Sequence, residues 1–387
     1  MQSVRRVVCL FACGFAFQSL TAIEARAQTA RISSDTIPIA ADVAEISHVW
    51  QAYLLSKHGK YNSAARTPTE YWLESEKAKW PVYDLAGFYL DDDSRFEVKD
   101  IARVPRQNTL GTADEYRITT IFRSGDPNAT TLTPRTSITV TVYAVRTSNG
   151  WKLSNALPRT TATWRRDTVR NVTYVFAPDY PYSRARALRA VAFTDSLADA
   201  LRLPRLEPIR YFLLPNVNEV YRIIGLEPDV KYSGAGGLAQ PINHQMFSGT
   251  PSEGEEYRHE LAHLILMPLV NERTLYFVSE GVPTWLGGTS GMDFKAATKS
   301  LSAYLAKNPK VTLDTFLSGC CPRPEFYSAG AVLTALAFER GGNEALKQLF
   351  NAGIGADFQN AIAKMLGTPW TTIASDWRRK VDSIAAR

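Results

Sequence analysis

The stretch EEYRHELAHLILMP, residues 255–268, sets two of the chain's five histidines four positions apart, with a glutamate directly after the first. On a helix of 3.6 residues per turn, His259 and His263 project from one face, one turn apart. Two imidazoles placed in this way can reach a single ion at the bond length zinc prefers, about 2.0–2.1 Å. Glu260 sits one step round the helix, aimed beside the ion rather than at it, where a carboxylate can take a proton from a water on the metal. Ser252 and Glu255 carry the spacing of a capping box and predict a helix start immediately before the histidine pair. Pro268 predicts its end.

Two histidines do not complete such a site, because catalytic zinc commonly takes three protein ligands and keeps a position for water. The segment YFVSEGVPTWLGG (276–288) offers the third in Glu280, 17 residues after His263. Pro283 predicts the first turn of a new helix there. A helix, a loop and a second helix brought alongside would set Glu280 opposite His259 and His263. The expectation is one Zn2+ per chain.

With Glu280 in an E-G-x-x-x-W context, the HELAH motif resembles the gluzincin metallopeptidases, including peptidase MA-like proteins and the large zinc aminopeptidases. The likeness extends over residues 170–387 and implies a mixed sheet, an active-site helix and a C-terminal helical subdomain. It implies that His259, His263 and Glu280 are metal ligands and that Glu260 is the general base. EFYSAGAVLTAL (325–336) is similar to the family's Y-x-x-G-A segment, which would make Tyr327 the hydrogen-bond donor to the oxyanion. The chain also departs from the pattern. The gap to Glu280 is short, Pro283 stands where alanine is usual, and the G-x-M-E-N segment that captures a substrate's free amine is missing. GAGGLAQPI (234–242) occupies its place without a carboxylate. The implied activity is therefore that of a zinc endopeptidase or short-peptide hydrolase rather than an aminopeptidase, with the strand near 236–242 offering its edge to an extended peptide. A rival reading from another class is a cell-envelope protein that binds peptides or ligands on the same scaffold without catalysis. Retention of Glu260 argues against it, since a scaffold has no use for a general base.

The rest of the chain places this site in an α+β protein. Val43, Ile46, Val49, Trp50, Tyr53 and Leu54 recur at helical spacing, and PTEYWLESEKAK (68–79) predicts a second helix. EYRITTIFR (115–123) and SITVTVYAVRT (137–147) alternate apolar with polar residues and predict strands, with SNG turning into WKLSNAL. Two helices followed by a twisted antiparallel sheet resemble the nuclear-transport-factor-like cone fold. The expected division is a leader at 1–27, a cone-like module at 28–160 and the metallopeptidase-like domain at 161–387, with a linker near 159–170. DDD at 91–93 reads as a hairpin tip, and His48, His58 and His244 as surface or hydrogen-bonded histidines. Glu256 reads as a first-turn helix charge or a partner behind the ligands.

Composition narrows the function classes. The chain has 387 residues, 45% hydrophobic and 21% charged, with a formal charge of +6. Its basic residues are scattered, and the densest group, WRRDTVR (164–170), reads as a solvated linker rather than a nucleic-acid footprint. A peptide or protein substrate is the expected partner. SVRR, the apolar run VVCLFACGFAF and the small residues Ala25 and Ala27 form a secretory leader, which implies export to a periplasm or the extracellular space. No run is long enough to predict a transmembrane segment. A lipid anchor at Cys13 is the alternative, although Phe11 is bulky for a lipidation box. Cys320 and Cys321 are the only cysteines beyond the leader, and either a vicinal disulfide or two free thiols fits them. If the leader is removed as its pattern requires, N-terminal sequencing of protein recovered from the envelope should begin at Gln28. An intact Met1 would refute cleavage.

Overall fold

The computed structural model describes residues 41–56, 70–79, 84–86, 95–105, 113–123, 137–228, 236–319 and 321–386. The leader, DDD at 91–93, His58 and Cys320 lie outside the described residues. The chain is a mixed α and β protein that divides into two compact units. Among the described residues no helix is long and apolar enough to cross a membrane.

The first unit takes the described residues up to Trp164. Helix α1 (Ala41–Ser56) buries Ile46, Trp50, Tyr53 and Leu54, four of the apolar positions whose spacing predicts it. Helix α2 (Glu74–Lys79) is shorter than expected from sequence, because Trp72 pairs in a bridge with Leu153 instead of extending the helix. Strands β1 (Arg95–Arg103), β2 (Glu115–Arg123), β3 (Ser137–Thr147) and β4 (Gly150–Ser154) form an antiparallel meander. Both β2 and β3 bury alternate residues, as their sequence period requires. The Trp50 indole donates to Thr120 Oγ1 at 2.8 Å and ties α1 to β2. A short helix, α3 (Leu157–Thr160), closes the segment.

In the second unit, WRRDTVR is a strand rather than a linker. Strand β5 (Arg165–Val169) pairs antiparallel with β6 (Val172–Phe176) at the edge of a second sheet. Arg165 and Arg166 point to opposite faces and are both exposed at the outer end of this edge strand, while Val169 at its other end is buried. Helix α4 (Arg184–Leu201) crosses back to β7 (Ile209–Leu213), parallel to β6. The chain then runs through α5 (Val217–Ile223) to β8 (Leu226–Pro228), which pairs with β3 in the first unit's sheet. The described residues 218–228 thus belong to the first unit, and a single cut near 160 does not describe the division. Strands β9 (Gly237–Gln240) and β10 (Gln245–Ser248) complete a mixed sheet of order β5-β6-β7-β10-β9. One face of this sheet, with Tyr174, Phe176, Tyr211 and Met246, packs on Ala187, Ala190 and Val191 of α4. The same cluster includes Leu261 and Leu264 of α6 (Arg258–Leu266). Burial of each large apolar side chain contributes roughly 1.5–3 kcal/mol.

The remainder is helical: α7 (Tyr276–Gly287), α8 (Phe294–Lys307), α9 (Leu313–Leu317), α10 (Arg323–Leu349), α11 (Ala356–Leu366) and α12 (Trp370–Ala385). The α10 segment is broken at Gly342, where φ is 59°. Cys321, just before α10, is disulfide-bonded, which removes the reading of two free thiols.

Two expectations about helix ends are corrected. The Ser252–Glu255 capping box does not form. Gly254–Glu256 is a 3-10 turn, and α6 starts at Arg258 with no side-chain cap. Buried Glu255 instead accepts from the Ser183 amide at 2.7 Å and pairs with Arg186 at 3.3 Å, holding the start of α4. Pro283 is inside α7, not in its first turn. An internal proline costs about 3 kcal/mol in an isolated helix, and here the burial of Phe277, Val278 and Val282 on α7 outweighs it. Glu280 consequently lies in the second turn of a helix instead of the loop before one.

Helices α7 and α10 cross at a pair of glycines. A Cβ on Gly330 would stand 2.4 Å from the Phe277 carbonyl oxygen and 2.9 Å from Gly281 Cα; one on Gly281 would stand 2.6 Å from the Gly330 carbonyl carbon. These neighbours are backbone, so the helices would have to separate. Gly330→Ala should therefore destabilise the protein by about 1–3 kcal/mol, despite the gain of about 1 kcal/mol in helix propensity. Thermal melts should show a fall of roughly 2–4 °C per kcal/mol. An unchanged or raised midpoint would contradict the close crossing.

Candidate metal centre

The apolar face of α6 is held under the sheet by Leu261 and Leu264. On the opposite side the helix meets α7, and this contact brings His259, His263 and Glu280 together. Their relative exposures are 4%, 4% and 7%, so three polar side chains are buried in one place. The two imidazole Nε2 atoms are 3.2 Å apart. Glu280 Oε2 lies 3.3 Å from His259 Nε2 and 3.6 Å from His263 Nε2. A tetrahedral site with bonds of about 2.0–2.1 Å has edges of about 3.3–3.4 Å. The three atoms thus form a nearly correct face for a zinc-sized ion, with the fourth corner left for another ligand.

The surroundings settle which ring nitrogen of His259 is available to an ion. His259 Nδ1 is 2.8 Å from the Gly288 carbonyl oxygen. A carbonyl only accepts, so Nδ1 carries the hydrogen and Nε2 keeps its lone pair for a metal. Burial alone would lower the His259 pKa, but the Glu280 carboxylate beside it and the charge of Glu260 raise it to about 8. Burial alone would raise Glu280; His263 and His259 overcome this and hold it at about 2.

Glu260 does not join the triad. Its Oε2 accepts from the Ala239 amide of edge strand β9 at 2.9 Å. The strand can approach this closely because residue 237 is glycine: a Cβ there would stand 2.7 Å from Glu260 Cγ and 2.6 Å from Tyr257 Cε1. Glu260 is therefore aimed by a backbone donor, within a site that stays 9% exposed at this residue.

Tyr327 enters from the first turns of α10. Its ring stacks on His259, with centroids 6.2 Å apart and planes at 19°. Burial first, and the charge of Glu280 second, push its phenol far above the usual range, so the hydroxyl remains a hydrogen-bond donor at neutral pH. That hydroxyl is 2.7 Å from the Tyr276 hydroxyl. Glu256 faces away from the ligands and pairs with Arg189 and Arg258. His48 is exposed, and His244 is a half-exposed residue 3.5 Å from Glu207.

The structure thus brings together every residue the sequence singles out for the site: His259, His263, Glu260, Glu280 and Tyr327. Sequence reasoning missed Tyr276, the Gly288 carbonyl and the Ala239 amide. Only Tyr276 left a readable signal, since it precedes Glu280 by one helical turn. No family model matches this chain, and no curated protein sequence matches it.

The donor set suits a divalent ion with nitrogen and oxygen preferences, and zinc fits both its chemistry and its spacing. Purified protein should carry one zinc per chain by elemental analysis, and His263→Ala should lose it. The charged His259–Glu280 pair stabilises metal-free protein most between the ordinary carboxyl value of 4.5 and the ordinary imidazole value of 6.5. Its contribution declines as pH rises through about 8 for His259, and as pH falls towards about 2 for Glu280. Zinc needs the imidazoles neutral. The rise in melting temperature on adding zinc should therefore grow from pH 6 to pH 8. A rise that shrinks over this range would contradict the assignment.

Proposed function

We propose that this protein is an exported zinc-dependent peptidase that hydrolyses internal bonds of peptides or unfolded segments. The observation carrying this reading is the face formed by His259, His263 and Glu280, with edges of 3.2–3.6 Å, beside a carboxylate that is not a ligand. The mixed sheet, the buried helix α6 and the helices that follow support a gluzincin-like catalytic domain. The helices and antiparallel sheet of the first unit support a cone-like accessory module. Export rests on the leader at 1–27.

When bound, zinc supplies a Lewis acid and a water whose pKa falls to about 7. Glu260 takes the proton of the attacking water and hands it to the departing amine. The Ala239 amide keeps the Glu260 carboxylate oriented while it does so. Tyr327 donates to the carbonyl oxygen as that atom gains negative charge. Edge strand β9 lies alongside, and among the described residues no strand pairs with its outer side. In an antiparallel strand the amide and carbonyl of one residue point the same way. The Ala239 carbonyl therefore faces outward together with the amide held by Glu260, and it can accept from a substrate's backbone. Pairing through the backbone tolerates varied side chains. The absence of a carboxylate in 234–242 to hold a free amine favours endopeptidase action.

Glu260→Gln separates this chemistry from metal binding. It should retain zinc and fold normally while turnover falls by about 10²–10⁴, measured on a fluorogenic peptide library. Near wild-type turnover in this variant would remove Glu260 as the base and the proposed reaction with it.

A further inference from the structure

Tyr276 has no place in the ligand set, yet its hydroxyl lies 2.7 Å from that of Tyr327 across 51 residues of sequence. Both side chains are held by aromatic packing. The Tyr276 ring stacks on Phe326 with centroids 5.7 Å apart and meets the Tyr327 ring at 73°. Phe326 in turn meets Phe277 edge-on at 5.2 Å. Helix α7 therefore presents Glu280 and, one turn earlier, a second phenol directed at the Tyr327 oxygen.

Each phenol has one hydrogen to donate and lone pairs to accept with. If the Tyr327 hydrogen goes to a substrate oxygen, the hydroxyl contact survives only with Tyr276 as donor and the Tyr327 oxygen as acceptor. A donor at that oxygen polarises the Tyr327 O–H bond and strengthens its own donation. It also fixes the rotation of the hydroxyl, which the ring alone leaves free. We propose that Tyr276 is a positioning residue for peptide hydrolysis: it donates to Tyr327 and aims the Tyr327 hydrogen at the carbonyl oxygen that becomes negative. This inference rests on the peptidase reading above. Tyr276 acts only through Tyr327, and no bond to Tyr276 forms or breaks in the reaction.

The test is a double-mutant cycle on full-length, zinc-loaded protein with Tyr276→Phe, Tyr327→Phe and the double variant, assayed on a fluorogenic peptide library. Tyr327→Phe should lower kcat by about 10²–10³. Tyr276→Phe should lower kcat by roughly three- to tenfold, the effect of one ordinary hydrogen bond, with KM and zinc content unchanged. The double variant should match Tyr327→Phe alone, because Tyr276 has nothing left to position. A second measurement does not need turnover. In protein carrying 13Cζ-tyrosine, Tyr276→Phe should move the Tyr327 Cζ resonance. A Tyr276→Phe effect of equal size with and without Tyr327, a kcat unaffected by Tyr276→Phe, or an unmoved Tyr327 resonance would each overturn the role. If wild-type protein hydrolyses no peptide, the peptidase reading falls and the role with it. If wild type is active and the cycle is additive, the role alone falls.

Discussion

Glu280 is a carboxylate that is 7% exposed, and it is the one charged side chain among the buried residues of its helix. An isolated charge in such a place would cost several kcal/mol, and it persists only with partners of opposite charge or a metal. His259, whose pKa is raised to about 8, is such a partner, and His263 Nε2 stands 3.6 Å from the same carboxylate oxygen. The arrangement of this half of the molecule follows from keeping three buried polar atoms within 3.2–3.6 Å of one another. Helix α6 must lie against α7, and α7 must be backed closely enough by α10 that its register cannot drift. The Gly281–Gly330 crossing supplies that backing next to Glu280 in the chain. The same crossing carries Tyr327 to the His259 ring, so the helix that backs Glu280 also delivers this phenol.

Three glutamates within six residues show how much environment decides. Glu255 is buried and holds the start of α4 through the Ser183 amide and Arg186. Glu256 turns outward to Arg189 and Arg258. Glu260 is drawn to the Ala239 amide of the edge strand and stays out of the ligand set. Each carboxylate is satisfied by a different partner, and only the last stands beside the buried His259, His263 and Glu280. Held by a backbone amide, the Glu260 carboxylate is preorganised, with little freedom to turn away.

What the sequence determined by itself is local. Periods of two and 3.6 residues report which face of an element is buried, so β2, β3 and α1 were legible within a few residues. The four-residue spacing of His259 and His263 is likewise a property of one helix. Glu280 was legible as a candidate third donor because the donor count of zinc calls for one more group near the histidine pair, and the structure places it in one buried cluster with them. What only the tertiary structure decided involves partners far apart in sequence. WRRDTVR became a strand because β6 offered an edge. Glu255 left its expected cap for α4, Pro283 was absorbed into a helix held by packing, and residues 226–228 returned to pair with β3 in the first unit's sheet. The Tyr276–Tyr327 contact and the amide that aims Glu260 belong to the same class. Local spacing carries no information about which distant donor or groove will stand opposite a side chain, and packing energies of several kcal/mol override local preferences of one or two.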